Sequence, residues 1–331
     1  MFRATAAGIV CLLALTGASP AGAQPRPIDF DNTTFTAQAL GPSVTILTGS
    51  PNTDPGHPEG AGGRIGVLAG PDGVLLVDAS YAPLAPKVLA AIRRLSPAPI
   101  RYLIDTHSHP DHTGGNPFFA KLGAVLLARE ETWKDLAQPP PPALLAAIGA
   151  AASYTDPMRL PNLTYGPGAS LKIRLDGETV DVIAAPAGHT GGDTIVRFEN
   201  ADVMMIGDFY RNYGYPFVDA ARGGSFKGML QAIDLVQKIA GPQTKLVPGH
   251  GGIVTTAELV SYREMILAVG QRVRAMIAEG RTVDQVLAAK LTAPYDARVP
   301  GGFDPLPTGP GTSADRFVSV LYAEIKRDGS I

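Results

Sequence analysis

Residues that can bind a metal ion are concentrated in one short segment of the sequence. The segment IDTHSHPDHTGGN, residues 104–116, contains His107, His109, Asp111 and His112 in the spacing H-x-H-x-D-H. If the peptide leaves a strand as a tight loop, the first two can point to one side and the last two to another. Imidazole and carboxylate ligands favour zinc or a neighbouring first-row ion, and this arrangement suits two ions held side by side.

Three further candidate ligands follow predicted strands elsewhere in the chain. His189 stands in PAGHTGGD, Asp208 in MIGDFY and His250 in VPGHGG. Five of the six histidines therefore lie in glycine-flanked loops at strand ends. A solvated polar loop would be the simpler interpretation of one histidine, but histidines scattered through a core or surface would not be distributed in this way.

The elements that position these residues are read from apolar runs and turn signals. The predicted strands span residues 43–49, 64–70, 73–79, 100–106, 124–128, 171–175, 179–186, 193–199, 202–208 and 244–249. Residues 25–39 are predicted to be an irregular lead-in, residues 138–157 a peripheral insertion, and the Pro/Gly-rich residues 50–63 a long loop of the kind that often forms a lid.

The predicted helices begin at recognisable capping positions. Pro86 can open one helix, and Ser225 can cap another. Thr255 and Glu258 form a capping box for a long helix that Gly280 ends. Further helices are predicted near residues 116–123, 129–137, 283–290 and 313–327. No linker divides the chain, so residues 24–331 are predicted to form a single domain.

Composition excludes some functional classes. The chain has 331 residues, of which 45% are apolar and 18% charged, which is typical of a globular protein. The formal net charge is −2, and no run of lysine or arginine is present, so no nucleic-acid partner is expected. A small-molecule substrate is the expected partner, and the oligomeric state is left open.

The N-terminal residues 1–23 have the pattern of a signal peptide. An early Arg3 and a short apolar run precede small residues that end in Ala21-Gly22-Ala23, which predicts cleavage before Gln24. The apolar run is shorter than the roughly 20 residues that a membrane-spanning helix needs. We therefore expect a periplasmic or secreted protein without membrane insertion after cleavage. The only cysteine, Cys11, would be removed, so any metal must be held by His, Asp or Glu.

The order of these motifs resembles that of the metallo-β-lactamase superfamily: H-x-H-x-D-H, a lone histidine, a lone aspartate and a last histidine. The resemblance covers nearly all of the chain after the cleavage site. It implies an α/β fold, a four-layer αβ/βα sandwich with two mixed β-sheets and the metals at one edge.

The resemblance also implies a ligand set for two zinc ions per chain. It assigns the first metal to His107, His109 and His189, the second to Asp111, His112 and His250, and a bridging position to Asp208. Asp78, at the end of its strand, resembles the aspartate that supports the ligand loop. Sequence alone equally allows it to be a turn or capping residue.

The implied mechanism is hydrolysis without a covalent protein nucleophile. Two adjacent metal ions lower the pKa of a bound water and so provide hydroxide near neutral pH. The ligands Asp111, His189 and Asp208 are the expected catalytic residues, and Asp111 can also carry a proton. The expected enzyme is a metal-dependent hydrolase that opens a cyclic amide or ester.

The substrate is less clearly indicated, and a β-lactam is the leading single hypothesis. Secreted β-lactamases of this family have Cys or Ser at the position of Asp208, whereas Asp is more typical of lactonases and thioesterases. Export and Arg211, a candidate carboxylate clamp, favour the β-lactam. Tyr210 as an oxyanion donor and His57 as a substrate contact are further candidates. Ordinary packing or surface exposure is the alternative for each of these three side chains.

Other functions of the same fold remain open but less favoured. A glutathione thioesterase would need a basic C-terminal site, where only Lys326 and Arg327 are found. A mononuclear iron dioxygenase would not need the second ligand set, and a nuclease would need a basic surface. A non-catalytic periplasmic metal-binding protein is the non-enzymatic alternative, although such proteins usually lose ligands.

Overall fold

The computed structural model describes residues 29–50, 61–139, 151–212, 214–299, 311–329 and 331. The predicted signal peptide, most of the predicted 50–63 loop and much of the 138–157 insertion lie outside these residues. The division into a cleaved segment and one domain over residues 24–331 stays a prediction.

The first sheet has seven strands in sequence order. They are β1 Thr34–Ala39, β2 Val44–Ser50, β3 Ile65–Gly70, β4 Gly73–Val77, β5 Ile100–Ile104, β6 Val125–Arg129 and β7 Leu163–Tyr165. Pairing is antiparallel from β1 to β4 and parallel from β4 to β7. The sheet is therefore mixed, as the resemblance implied.

Strand β1 corrects the prediction of an irregular lead-in over residues 25–39. It pairs with β2 along its whole length, from Thr34 opposite Ser50 to Ala39 opposite Thr45. Five of its six side chains are exposed, so the sequence TFTAQA lacks the apolar alternation of a half-buried strand. Backbone hydrogen bonds to β2 hold β1 in place, and such bonds leave no pattern in the side chains. The short edge strand β7 was missed for the same reason.

The second sheet has five strands. They are β8 Ser170–Leu175, β9 Glu178–Ala184, β10 Thr194–Phe198, β11 Val203–Gly207 and β12 Lys245–Pro248. Their spatial order is β12-β11-β10-β9-β8, and only β11 and β12 are parallel among these pairs. Because β9 and β11 are both antiparallel to β10, the strands β9, β11 and β12 run in one direction. Their carboxyl ends therefore lie at one edge.

Helices lie between or after the strands, and several of them cover the outer faces of the two sheets. They are α1 Ala85–Leu95, α2 Pro110–Thr113, α3 Asn116–Lys121, α4 Glu130–Ala137, α5 Ala151–Thr155, α6 Phe226–Ile239, α7 Thr256–Ala278, α8 Val283–Ala288 and α9 Ser313–Asp328. The Ser225 hydroxyl accepts a hydrogen bond from Gly228 N, and the Glu258 carboxylate accepts one from Thr255 N. These contacts are the predicted helix caps. Gly280 follows α7 with a positive φ of 76°.

Three apolar layers separate the four layers of secondary structure. Between the sheets, Val77 and Ile104 of the first sheet pack with Val196 and Met205 of the second. Outside the first sheet the core is formed with α1 and α3, and outside the second sheet with α6, α7 and α9. The αβ/βα sandwich is thus confirmed. Among the described helices, none is both long enough and apolar enough to cross a membrane.

Candidate metal centre

The seven predicted ligand residues meet at one edge of the sandwich. The H-x-H-x-D-H motif follows β5 and continues into α2, whereas His189, Asp208 and His250 follow β9, β11 and β12. The common direction of these last three strands brings their loops together. The ligand atoms form three overlapping groups, and within each group all of them lie within 4.8 Å of one another.

The first group consists of three imidazoles, those of His107, His109 and His189. His189 Nε2 lies 2.9 Å from His109 Nδ1, and the rings of His107 and His189 meet edge to face. His107 and His189 are each only 1% exposed. This group is the set that the sequence predicts for the first metal.

The second group combines one carboxylate with two imidazoles. His250 Nε2 lies 2.8 Å from Asp111 Oδ2 and 3.3 Å from His112 Nε2. His112 Nε2 lies 3.6 Å from the same Asp111 oxygen. These three atoms form the set predicted for the second metal.

The Asp208 carboxylate lies between the two groups. Its Oδ2 is 4.0 Å from His107 Nε2 and 3.8 Å from His189 Nε2 on one side. On the other side, Oδ2 is 3.5 Å from His250 Nε2, and Oδ1 is 3.5 Å from His112 Nε2. The carboxylate is therefore within reach of both groups, which is the position that a bridging ligand needs.

Asp78 lies directly behind His112. Its Oδ2 is 2.8 Å from His112 Nδ1 and accepts a hydrogen bond from Thr106 Oγ1, while Oδ1 accepts one from Thr106 N. Asp78 is fully buried and has a left-handed backbone with φ of 64°. By engaging Nδ1 it turns Nε2 of His112 toward the centre, which is how carboxylates orient metal-binding histidines.

Two comparable partners of the first group were missed by sequence reasoning. His109 Nε2 lies 3.0 Å from Asp219 Oδ2, which also accepts a hydrogen bond from Arg222 Nη1. His189 Nδ1 lies 2.9 Å from the Phe217 carbonyl oxygen and can donate to it. Asp219 belongs to no motif, and a backbone carbonyl has no signature in sequence, so neither could have been found by spacing.

Asp193 also organises the centre, and here a sequence signal was present. Its carboxylate accepts hydrogen bonds from the backbone N–H groups of Gly188, His189 and Thr190. It is the last residue of the quoted stretch PAGHTGGD, four positions after His189. The buried carboxylate thus fixes the turn that presents His189.

Two glycines allow the backbone to approach the centre closely. A Cβ at Gly63 would lie 2.2 Å from His112 Cε1, and one at Gly249 would lie 2.0 Å from Asp208 Oδ1. Backbone hydrogen bonds hold both glycines there, from Gly63 N to Asp111 O and from Arg64 N to Gly249 O. Any larger residue at either position would displace a ligand side chain.

The electrostatics favour the ligating forms of most side chains. Burial lowers the pKa of His107 well below its usual value and that of His189 to about 3, so both imidazoles are neutral at neutral pH. Burial alone would raise the pKa of Asp208, but His250 and His112 lower it well below its usual value. Neutral imidazole and ionised carboxylate are the forms that bind metals.

His112 differs from the other buried imidazoles. Burial acts to lower its pKa, but the carboxylates of Asp208, Asp111 and Asp78 together raise it well above the usual value. A metal ion on Nε2 would replace that proton and provide the positive charge that the carboxylates favour.

The residues present fit a metal ion. His107 Nε2 is buried and has no hydrogen-bond partner within the described part of the chain. A buried polar atom without a hydrogen-bond partner is costly. A metal ion bound among the neighbouring imidazole and carboxylate groups would provide His107 Nε2 with a partner. The donor set contains only nitrogen and oxygen atoms, as zinc sites without thiolates do.

The three predicted substrate contacts are Tyr210, Arg211 and His57, and the structure describes only the first two. Tyr210 is 4% exposed and packs edge to face against Tyr262, with ring centroids 4.8 Å apart. Burial raises the pKa of Tyr210 to about 12. Arg211 is 8% exposed, so the alternative prediction that it lies on the surface is wrong. His57 lies outside the described residues.

An αβ/βα sandwich with a His/Asp cluster at one sheet edge defines a class of metal-dependent hydrolases. The family model of the metallo-beta-lactamase superfamily matches residues 60–250. The chain therefore belongs to this superfamily, and it is a metal-dependent hydrolase.

Solved structures and a curated relative extend the comparison. A metallo-beta-lactamase from Pontibacter korlensis is 21% identical with a TM-score of 0.53, over 70% of this chain and 99% of that one. One from Hirschia baltica is 17% identical with a TM-score of 0.51, over 70% and 96%. At such identities the likeness shows the fold alone. A linear primary-alkylsulfatase from Pseudomonas sp. is 27% identical over 136 residues, 39% of this chain and 24% of the relative, so the match spans about a quarter of the relative's length.

Proposed function

We propose that the chain is an exported two-zinc hydrolase that opens a cyclic amide or ester, with a β-lactam as the first substrate class to test. The observation that carries this proposal is the position of the Asp208 carboxylate, which lies within 4.0 Å of ligand atoms in both groups. A carboxylate shared by two adjacent ligand sets suits two metals, whereas a single site would need only one of the sets.

The residues of the centre have different proposed roles. Zinc ions held here would supply Lewis acidity, which lowers the pKa of water and polarises a carbonyl oxygen. His107, His109 and His189 would hold one ion through imidazole nitrogens, and Asp208 would add negative charge on the side that both groups share. Phe217, with its ring 5.4 Å from that of His189 and 6.2 Å from that of His109, forms an apolar wall that restricts water.

Asp111 is the proposed proton carrier. One of its oxygens lies 2.8 Å from His250 Nε2, and its side chain is 13% exposed at the mouth of the centre. A carboxylate with one engaged oxygen and partial access to solvent can accept a proton from the nucleophile and pass it to the leaving atom.

A second candidate function is hydrolysis of a sulfate ester. The observation in its favour is the 136-residue match to the linear primary-alkylsulfatase. Lactones and thioesters are the further alternatives, because an aspartate at position 208 resembles enzymes that act on those bonds. The same ligand set could serve each of these substrates, so activity has to separate them.

Export is the second part of the proposal, and it rests on the pattern of residues 1–23. N-terminal sequencing of the protein purified from a bacterial host would show a mature chain that begins at Gln24. Recovery of the intact N-terminus from the cytoplasmic fraction would oppose export without affecting the proposed chemistry.

The first experiment is hydrolysis of a chromogenic cephalosporin by zinc-loaded protein that begins at Gln24. Turnover that a chelator abolishes and zinc restores would support the β-lactam. Absence of turnover, with chelator-sensitive cleavage of a lactone, a thioester or a primary alkyl sulfate, would transfer the assignment to that substrate. Two bound zinc ions with no hydrolysis of any of the four would overturn the proposal.

A further inference from the structure

We propose that one side of α4 positions the first ligand group by fixing the loop of His107 and His109 against the turn that carries His189. Three residues form this side, which we call the α4 face: Arg129, Thr132 and Asp135. Arg129 is the N-cap residue of the helix, and the others follow it at intervals of three, so their side chains share one side. The inference rests on the proposed two-metal function and names the residues that position one half of that site.

The first ligand group needs support from outside. It contains no carboxylate, whereas the second group contains Asp111. Within the first group the loop and the turn meet where His109 Nδ1 lies 2.9 Å from His189 Nε2. A hydrogen bond between these nitrogens would be lost when a metal ion takes up their lone pairs. The spacing of the loop and the turn must therefore be set by contacts outside the group.

Arg129 holds both ends of the turn that carries His189. It is 4% exposed, and its Nη1 donates to the carbonyl oxygens of Ala185 at 2.7 Å and Asp193 at 3.5 Å. These two residues stand before and after the turn. The Arg129 Nη2 also pairs with Glu131 at 3.0 Å, so the buried charge is balanced. The planar guanidinium therefore ties the turn to the first residues of α4.

Thr132 contacts the same turn three residues after His189. It is fully buried, and its Oγ1 donates a hydrogen bond to the carbonyl oxygen of Gly192 at 3.1 Å. A Cβ at Gly192 would lie 2.1 Å from this Oγ1 and 2.8 Å from Thr132 N, so glycine is required for the helix to approach this closely. The stretch PAGHTGGD thus contains a glycine that serves the contact with α4.

Asp135 holds the loop on the other side of the group. Its Oδ2 accepts a hydrogen bond at 2.9 Å from the hydroxyl of Ser108, the residue between His107 and His109. Ser108 is 6% exposed, so water has little access to replace this contact. Because Thr132 and Asp135 are carried by one helix, the turn and the loop are held by the same rigid element. The α4 face therefore sets the distance between them.

The first test is a titration of the metal-free protein with cobalt(II). Thr132→Val removes the hydroxyl and keeps the branched shape of the side chain. We expect one of two binding steps to weaken about tenfold, the lower end of the effect of a lost supporting contact, and it should be the step that Asp219→Asn weakens. Thr244→Val is the matched control, because Thr244 is also fully buried and its Oγ1 donates to Asp202, at the end of β12 away from His250. It should leave both steps unchanged.

A second pair of variants separates position from charge. Asp135→Asn keeps an oxygen that can accept the hydroxyl of Ser108, whereas Asp135→Ala keeps none. Asp135 is only partly buried, so neither change should unfold the protein. We expect Asp135→Ala to weaken the same cobalt(II) step about tenfold and Asp135→Asn to retain most of the affinity. Equal losses in the two variants would indicate an effect of charge and overturn the inference.

A final measurement needs no metal. The rings of His107 and His189 meet edge to face with centroids 4.7 Å apart, so nuclear Overhauser contacts between their ring protons are expected in metal-free protein. Thr132→Val and Asp135→Ala should weaken these contacts, whereas Thr244→Val should not. Absence of the contacts from the wild-type protein, or their persistence in both variants with unchanged cobalt(II) binding, would overturn the inference. Wild-type protein that binds fewer than two cobalt ions, with the contacts weakened in the variants, would overturn the two-metal function alone.

Discussion

The two ligand groups of the centre are held in different ways. In the first group, His109 is oriented by Asp219, whose side chain is 12% exposed on a loop and also pairs with Arg222. In the second group, His112 is oriented by Asp78, which is fully buried at the end of β4 and also accepts hydrogen bonds from Thr106. One partner thus belongs to a loop and the other to the core.

The groups differ in charge and crowding as well. The first consists of three imidazoles, whereas the second includes the Asp111 carboxylate. The backbone of Gly63 and Gly249 also approaches His112 of the second group closely. Rigid, fully satisfied partners hold a ligand more accurately than partners on an exposed loop. We therefore expect the second group to be the less tolerant of change, and Asp208 to be the residue on which both depend.

The largest effect is expected for Asp208→Asn, which removes the charge that both groups share. Loss of several kcal/mol of charge stabilisation corresponds to a fall in hydrolysis of about a thousandfold. The zinc content of the dialysed protein should also fall, because both groups lose the carboxylate that they share. Asp234→Asn, at an exposed aspartate paired with Arg263, is the control and should change neither quantity. A fully loaded and active Asp208→Asn protein would contradict the shared role.

The next largest effect is expected for Gly63→Ala. The added methyl would overlap His112, which is fully buried and held by Asp78, so the strain cannot be relieved by a side-chain rotation. Overpacking of this kind costs about 1–3 kcal/mol, which urea unfolding of the metal-free protein would measure. Gly166→Ala is the matched control, because nothing lies within 4 Å of a Cβ there. Equal stability of both variants would contradict the crowding described for the second group.

The ligands of the centre could be predicted from the sequence, whereas several residues that support them could not. All seven candidate ligands follow strands, and the order of their motifs resembles that of a known family, so the sequence indicated all seven before the structure brought them together. Asp219 could not be found, because its pairing with His109 depends on a loop 110 residues away. Arg211 is buried beside Tyr262 of α7, a neighbour about fifty residues away in sequence that spacing does not reveal. Strand β1 is held by backbone pairing that the sequence does not encode in apolar side chains.

A moderate effect is expected for Asp78→Asn. Asparagine tolerates the left-handed backbone at φ 64°, so the change removes the charge behind His112 and keeps the backbone. Loss of such an orienting carboxylate typically weakens metal binding about 10- to 100-fold. Titration of the metal-free protein with cobalt(II) should show one weakened step out of two. Two equally weakened steps would contradict the assignment of Asp78 to the second group.

The smallest effect is expected for Asp219→Asn, the corresponding change in the first group. The asparagine oxygen can still accept the N–H of His109, and its partial exposure lets water replace lost contacts, so the weakening should be at or below the lower end of that range, about tenfold. The affected cobalt(II) step should be the one that Asp78→Asn leaves intact. Because the two carboxylates contact different histidines, the double variant should weaken both cobalt(II) steps. A larger effect for Asp219→Asn than for Asp78→Asn would reverse the ranking of the two groups and identify the loop as the more demanding support.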